Sequence, residues 1–291
     1  MSAAPPSTVS RGVVLMILAV FLFTTMDATA KGLIERYPAP QVIWVRFAGQ
    51  FALVLLILGP RLGPVLRTRF PVLHFWRSAS QFGATTFFFL SLPHVGLAEA
   101  TAVADLNPVL ITLGAALFLG ERLGVRRLAG VVVALLGALI VIRPGAGVFT
   151  WWSLLPLCCA VSYATSALLT RKIGAQESVW ASMVYAALFG TLVAGAALPF
   201  VWQPVAPADL WRFGLVALLG TGAQLCIIRS FSITEAAVVA PFAYLGIVFA
   251  TIWGVVLFDH WPDRWTVVGA LVIVGAGLYV WHRETRAIRP S

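Results

Sequence analysis

The chain reads as an all-α integral membrane protein of ten transmembrane helices, two inverted five-helix repeats around a central cavity. Three observations predict this. Hydrophobic residues make up 60% of the 291 and mean hydropathy is +0.94, more apolar surface than a soluble domain of this length hides. Apolar stretches of about 18–23 residues recur along the chain, the length that crosses a roughly 30 Å hydrocarbon core. The chain also repeats itself: Ala98-Glu99-Ala100-Thr101-Ala102-Val103-Ala104 returns as Thr234-Glu235-Ala236-Ala237-Val238-Val239-Ala240. An apolar run follows each copy, then Leu119-Gly120-Glu121 or Phe258-Asp259-His260, then a second run opening on Gly130 or Gly269. Duplicated hydrophobic halves are the sequence mark of a transporter built from internal repeats.

The spans are predicted at 12–31, 40–59, 73–93, 97–119, 127–143, 150–170, 179–201, 210–230, 235–258 and 265–282. They are uniformly apolar without period-two alternation, which argues for helices over barrel strands. The first is too long for a signal-peptide core and reads as an uncleaved helix. Connections are short, so the chain divides into halves at 1–145 and 146–291. With the N-terminus inside, fourteen of the twenty basic residues fall on cytoplasmic segments and five outside, Arg46 being intramembrane. That bias places both termini in the cytoplasm. Five helices per half then make the second half enter from the opposite side. The duplicated loop fits: Gly120–Arg127 carries three arginines, whereas Asp259–Arg264 carries two aspartates and one arginine.

The net charge of +9 does not indicate nucleic acid, because the basic residues lie between apolar runs and form no patch. Cys158, Cys159 and Cys226 all fall in apolar runs and read as small buried hydrophobes. No Walker A loop, Gly-x-Ser-x-Gly, His-Glu-x-x-His or Cys-x-x-Cys occurs, and the four histidines are scattered. The chain is therefore expected to be no enzyme, to hold no metal or cofactor, and not to be powered by its own ATP hydrolysis.

The halves resemble two EamA domains of the drug/metabolite transporter superfamily. The resemblance covers nearly the whole chain. It is carried by Ala98–Ala102, Asn107-Pro108, Leu119-Gly120-Glu121-Arg122 with Gly130, Ala240-Pro241-Phe242-Ala243-Tyr244, and Phe258–Trp265 with Gly269 and Gly277-Leu278-Tyr279. It implies ten helices, both termini cytoplasmic, and a cavity lined by the first four helices of each half. Members move amino acids, riboflavin, S-adenosylmethionine, nucleotide sugars and other metabolites. Where many relatives place Gln after the Tyr-Leu of helix nine, this chain has Gly246, so no one relative's substrate transfers directly.

Charged groups deep in a span need a reason. Asp27, Arg46 and Asp105 all fall about 8–12 Å below the outer surface at 1.5 Å per residue. An arginine flanked by two carboxylates leaves one net negative charge, open to a proton, a cation or an ammonium group; a static ion pair orienting helices one, two and four is the alternative. Glu99 and Glu235 stand in first helical turns, where they either compensate the dipole or gate opposite ends of the cavity. Pro108, after Asn107, and Pro241 are expected to kink helices four and nine around the site. Trp44, Gln81, Phe88, Tyr163, Tyr185, Gln224 and Tyr244 are candidate cavity-lining residues, each equally suited to packing or lipid contact. Trp151 and Trp152 suit an interfacial belt, and Gly130, Gly137, Gly269, Gly275 and Gly277 suit close helix packing.

The expected function is secondary transport of small metabolites across a bacterial inner membrane by alternating access, amino acids first and by export. The alternative is uptake of riboflavin, S-adenosylmethionine or a similar solute. The expected partners are a small-molecule substrate and membrane lipids, with either a monomer or a dimer. An intramembrane enzyme or a non-transporting assembly protein fits less well, having no use for paired prolines and three charges at one depth.

Overall fold

The computed structural model describes residues 6–119, 125–142, 150–173, 177–234 and 239–288. Every regular element among them is helical. The expectations for Gly120, Glu121, Arg122, Arg143 and Glu235 lie outside the described residues.

Helix α1 is Pro6–Ile34 and α2 Ala39–Leu58. The rigid φ of Pro38 and Pro40 suits the entry to α2, and Gly59 ends it with φ at 47°, a conformation that favours glycine. A 3-10 turn, Gly59–Arg61, leads into the short α3, Leu62–Val65. Helix α4, Pro71–Ser91, opens on a proline at its first position. The predicted fourth span is two helices, α5 (Leu97–Ala104) and α6 (Asn107–Leu119), separated by a turn at Asp105 and Leu106. Helix α7 is Val125–Ile142.

The second half runs through a 3-10 turn (Trp151–Leu154) into α8, Leu155–Ile173, then α9, Val179–Val201. Ser178 caps α9, its hydroxyl accepting the Ala181 N–H at 3.1 Å. A 3-10 turn (Pro207–Asp209) precedes α10, Leu210–Ile233. Within the predicted ninth span a 3-10 segment, Ala240–Tyr244, runs directly into α11, Leu245–Phe258. Asp259 closes α11 in the left-handed conformation. Helix α12 is Arg264–Ile288.

Five stretches are long and apolar enough to cross a membrane: Ser10–Ile34, Ala39–Val65, Trp151–Ile173, Val179–Val201 and Pro207–Phe231. Three shorter apolar helices, Leu128–Ile142, Phe242–Phe258 and Arg264–Tyr279, lie on other predicted spans. The two remaining spans fall short for visible reasons. Helix α4 carries His74, Arg77 and Gln81, and the fourth span is broken in the middle.

Helix α1 packs on α10, α2 on α9, α4 on α8 and α7 on α12. Helix α2 also meets α10, α4 meets α9, α1 meets α11, α6 meets α8, and α5 meets α11. The core gathers Met26, Leu33, Phe47, Phe88 and Phe89, while Leu56, Phe118 and Phe200 lie bare on the outside, as lipid-facing residues do. Gly137 and Gly269 face each other backbone to backbone where α7 crosses α12, and Gly277 receives the Tyr244 ring. Gly275 has open space beside it and so does no packing work.

Candidate functional site

The break in the fourth span sets the site. An aspartate at the C-cap ends α5, and Asn107-Pro108 restarts the chain as α6. Proline supplies no N–H and clashes with the turn before it, and the aspartate side chain three residues earlier has no helical donor to bind. The expected kink at Pro108 is therefore an interruption. The expected kink at Pro241 is a 3-10 segment, whose tighter winding brings Tyr244 to the start of α11.

Asp105 Oδ2 is buried with no hydrogen-bond partner, and so is Asn107 Oδ1. Oδ2 lies against Gly246 of α11, 3.7 Å from where a Cβ would stand there. Asp105 as a whole is half-buried. Buried polar atoms without partners are rare in native proteins, and two within three residues suit a place that receives a polar solute.

Arg46, 7% exposed on α2, donates from its guanidinium to Thr85 Oγ1 on α4. It also lies 5.2 Å from the Phe47 ring centroid and 5.8 Å from that of Phe89. Its Nε is buried and unpartnered, facing the Gly220 backbone of α10. Asp27 on α1 is its electrostatic partner, but among the described residues no carboxylate comes within the 4 Å of an ion pair with Arg46. The expected arginine flanked by two carboxylates is thus an Arg46 coupled through space to Asp27, while Asp105 Oδ2 lies beside Gly246 of α11.

Cys159 on α8 feels the charges of Asp27, Arg46 and Asp105, so all three lie in the same part of the bundle. Tyr163, one turn further on α8, reaches Asp105 and Arg77 and is 37% exposed.

The other predicted lining residues divide. Gln81 accepts from Ser166 Oγ of α8 at 3.3 Å, one turn before Thr85, and so belongs to the wall beside Arg46. Phe88 is buried in the core and Gln224 half-buried on α10. Tyr244 is buried, within reach of Asp105, with its hydroxyl unpartnered against Gly277. Trp44 and Tyr185 fall elsewhere. Trp44 packs edge-on against Trp202, centroids 6.4 Å apart, with its indole beside Gly195 of α9. Tyr185 stacks on His74 at 4.9 Å and donates to the Leu66 carbonyl at 2.7 Å, at the end of α9 far from Trp202. Glu99 works as a cap: its Oε2 accepts the Gly96 N–H at 2.9 Å, and its Oε1 accepts the Thr266 hydroxyl at 3.3 Å.

Thr85, Cys159 and Gly246 were missed as site residues by the sequence. For Thr85 a signal existed, its four-residue spacing from Gln81 on one helix face. For Gly246 the signal was the Gln that many relatives carry at that place; for Cys159 none existed, because neighbours from other helices give it its place. Among the described residues no group of three or more His, Cys, Asp or Glu side chains is placed to hold a metal ion.

The model of the EamA-like transporter family matches the chain twice, at residues 10–143 and 150–281. The chain belongs to this family. The pseudopaline exporter CntI of Pseudomonas aeruginosa is 30% identical over 91% of the chain and 94% of its own length. The riboflavin transporter of Rhizobium johnstonii is 29% identical over 99% and 96%, and the S-adenosylmethionine uptake transporter of Rickettsia bellii 26% identical over 97% and 97%. A solved crystal structure at 21% identity superposes with a TM-score of 0.67 over 96% of this chain and 99% of that one, so the fold is shared. This EamA-like protein is a multi-pass membrane transporter of small molecules and not an enzyme.

Proposed function

We propose that this transporter moves amino acids or similar zwitterionic metabolites across the bacterial inner membrane by alternating access, in the direction of export. Ten spans form two inverted five-helix repeats, 1–145 and 146–291, with both termini cytoplasmic. Support for the repeat lies in the packing: exchanging the halves turns the α1–α10 pair into α8–α4, the α2–α10 pair into α9–α4, and the α1–α11 pair into α8–α6, and all of these pairs are in contact. The break in the fourth span and the 3-10 segment of the ninth lie at matching places, where transporter binding sites have discontinuous helices.

The observations that support the substrate class are the Arg46 Nε and the Asp105 Oδ2, both buried without a hydrogen-bond partner among the described residues and both within one part of the bundle. Arg46 has an unpartnered Nε and Asp105 has no ion-pair partner among the described residues, so the site holds a cation and an anion that are not paired with each other. A carboxylate against Arg46 and an ammonium against Asp105 satisfy both. A second reading, uptake of riboflavin or S-adenosylmethionine, is favoured by the names of two relatives.

The test is a solute panel in proteoliposomes of purified protein: amino acids, riboflavin and S-adenosylmethionine, each with and without a pH gradient. Saturable amino-acid flux, reduced at least tenfold in both Asp27→Asn and Asp105→Asn, supports the proposal. Riboflavin or S-adenosylmethionine flux alone promotes the second reading. Unchanged transport and pH dependence in both variants returns the two acids to a structural role.

A further inference from the structure

We propose that the end of the bundle where α1 terminates carries a vestibular site for zwitterionic solutes, with Lys31 as its carboxylate-binding residue. The proposal rests on the amino-acid-like cargo inferred above and adds a second station on its path.

A cavity of about 760 Å³ opens at this end, its lining including Lys31, Glu35, His94, Phe258, Asp259 and His260. That volume suits a small-molecule site, and the lining carries charges of both signs. Lys31 lies one turn beyond Asp27 on α1, and Glu35 one turn beyond Lys31. Residues four apart share a helix face, each about 6 Å further along the axis. The end of α1 and the turn that follows it thus carry anion, cation and anion in order along the chain, at Asp27, Lys31 and Glu35.

The Lys31 ammonium is held, not loose. It donates to the carbonyls of Leu92 and Val95, the latter at 3.1 Å, and lies 5.4 Å from the Phe258 ring centroid. Leu92 is the C-cap of α4, whose free carbonyls favour a cation. An ammonium has three donors; two are spent on the chain and one remains for a ligand oxygen. Glu35 and Asp259, both exposed in the same cavity, offer acceptors for the solute's ammonium.

A Lys31 that only ties α1 to the 92–95 turn makes a different prediction from a Lys31 that binds solute. A tie, once cut, lowers the maximal rate from both faces. A vestibular ligand changes apparent affinity on its own face alone. The experiment uses protein reconstituted in one orientation, with L-methionine, S-adenosylmethionine and decarboxylated S-adenosylmethionine as probes presented to each face without a driving gradient.

Lys31→Gln is expected to raise KM for the two carboxylate-bearing probes about tenfold at the Lys31 face, with the maximal rate from that face unchanged. From the opposite face KM stays within about twofold while the maximal rate falls in proportion, because both directions share one equilibrium. The decarboxylated probe is insensitive, and Lys31→Arg restores most of the affinity. An unchanged KM at the Lys31 face, or an equal rise at both faces, overturns the vestibular site while leaving the central site standing. If the unaltered protein moves none of the three probes, the zwitterion assignment fails and the vestibular site falls with it.

Discussion

The Tyr37 hydroxyl donates to Asp209 Oδ2 at 3.0 Å and accepts the Ala206 N–H at 3.1 Å. The Asp209 carboxylate also takes Arg36 at 3.4 Å and Arg212 at 3.0 Å. This acid, 4% exposed, fastens the turn between α1 and α2 to the start of α10. An equivalent clamp joins the turn between α8 and α9 to the start of α4. Glu177 stands just before the cap of α9 as Tyr37 stands before that of α2, and it accepts Thr68 Oγ1 at 2.9 Å and the Arg69 N–H at 2.8 Å.

Asp209→Ala is expected to destabilise the protein by about 2–3 kcal/mol, because it removes a buried acceptor and leaves the Tyr37 hydroxyl without it. Thermal unfolding in detergent measures this, with KM of the folded protein unchanged within about twofold. A loss below about 0.5 kcal/mol would show that water replaces the carboxylate without cost.

Glu177 supplies a pH dependence. The Arg69 N–H, the Thr68 hydroxyl and nearby His74 and Arg69 hold its carboxyl below the usual range. A folded-state value below the unfolded one means the clamp contributes fully above the ordinary carboxylate value of 4.5 and is lost as pH falls through the folded value. The thermal midpoint of the unaltered protein should thus drop below about pH 4.5, and that of Glu177→Gln should start lower and drop less. Parallel curves would assign acid sensitivity to other carboxylates.

Much of the fold was legible in the sequence, because bilayer thickness imposes length and polarity rules that a single chain displays. The helices fall on the predicted spans, and Pro108 and Pro241 mark the interruption of one and the 3-10 segment of another. The interruption itself was not legible, since a proline allows either a kink or a break and the choice at Asp105 depends on what α11 packs against it. Depth along the helix axis makes contact among Asp27, Arg46 and Asp105 possible, but rotation about that axis is invisible to depth. That is why Asp105 was expected beside Arg46, and why Trp44 and Tyr185, aromatic and in the right spans, were expected in the cavity.

Gly190 and Gly220 differ in what a methyl group meets. At Gly190 on α9 a Cβ lands on the rigid, buried Phe47 ring of α2; at Gly220 on α10 it meets the Met26 sulfur at 2.7 Å. A ring fixed in the core yields only by separating helices, whereas a thioether swings aside. Gly190→Ala should cost about 1–3 kcal/mol as overpacking, and Gly220→Ala clearly less. Equal losses in thermal unfolding would place the strain in the helix backbones rather than in these side chains.

Asp27 and Arg46 decide between a static ion pair and a transport path. Removing either partner strands the other charge in a dry environment, so Asp27→Asn and Arg46→Gln should each lower stability. The double variant has no stranded charge and should regain most of that loss, a coupling that a double-mutant cycle measures. Transport separates the two roles. If the pair only orients α1 and α2, the double variant recovers flux along with stability. If Arg46 binds the solute carboxylate and Asp27 sets the field around it, the double variant is well folded and still at least about tenfold slow, the loss of roughly 1.4 kcal/mol or more of binding. The second outcome is expected, because among the described residues the Arg46 Nε has no hydrogen-bond partner and no carboxylate closes to ion-pair distance around it. A purely structural pair, free to choose its geometry, would have closed that gap.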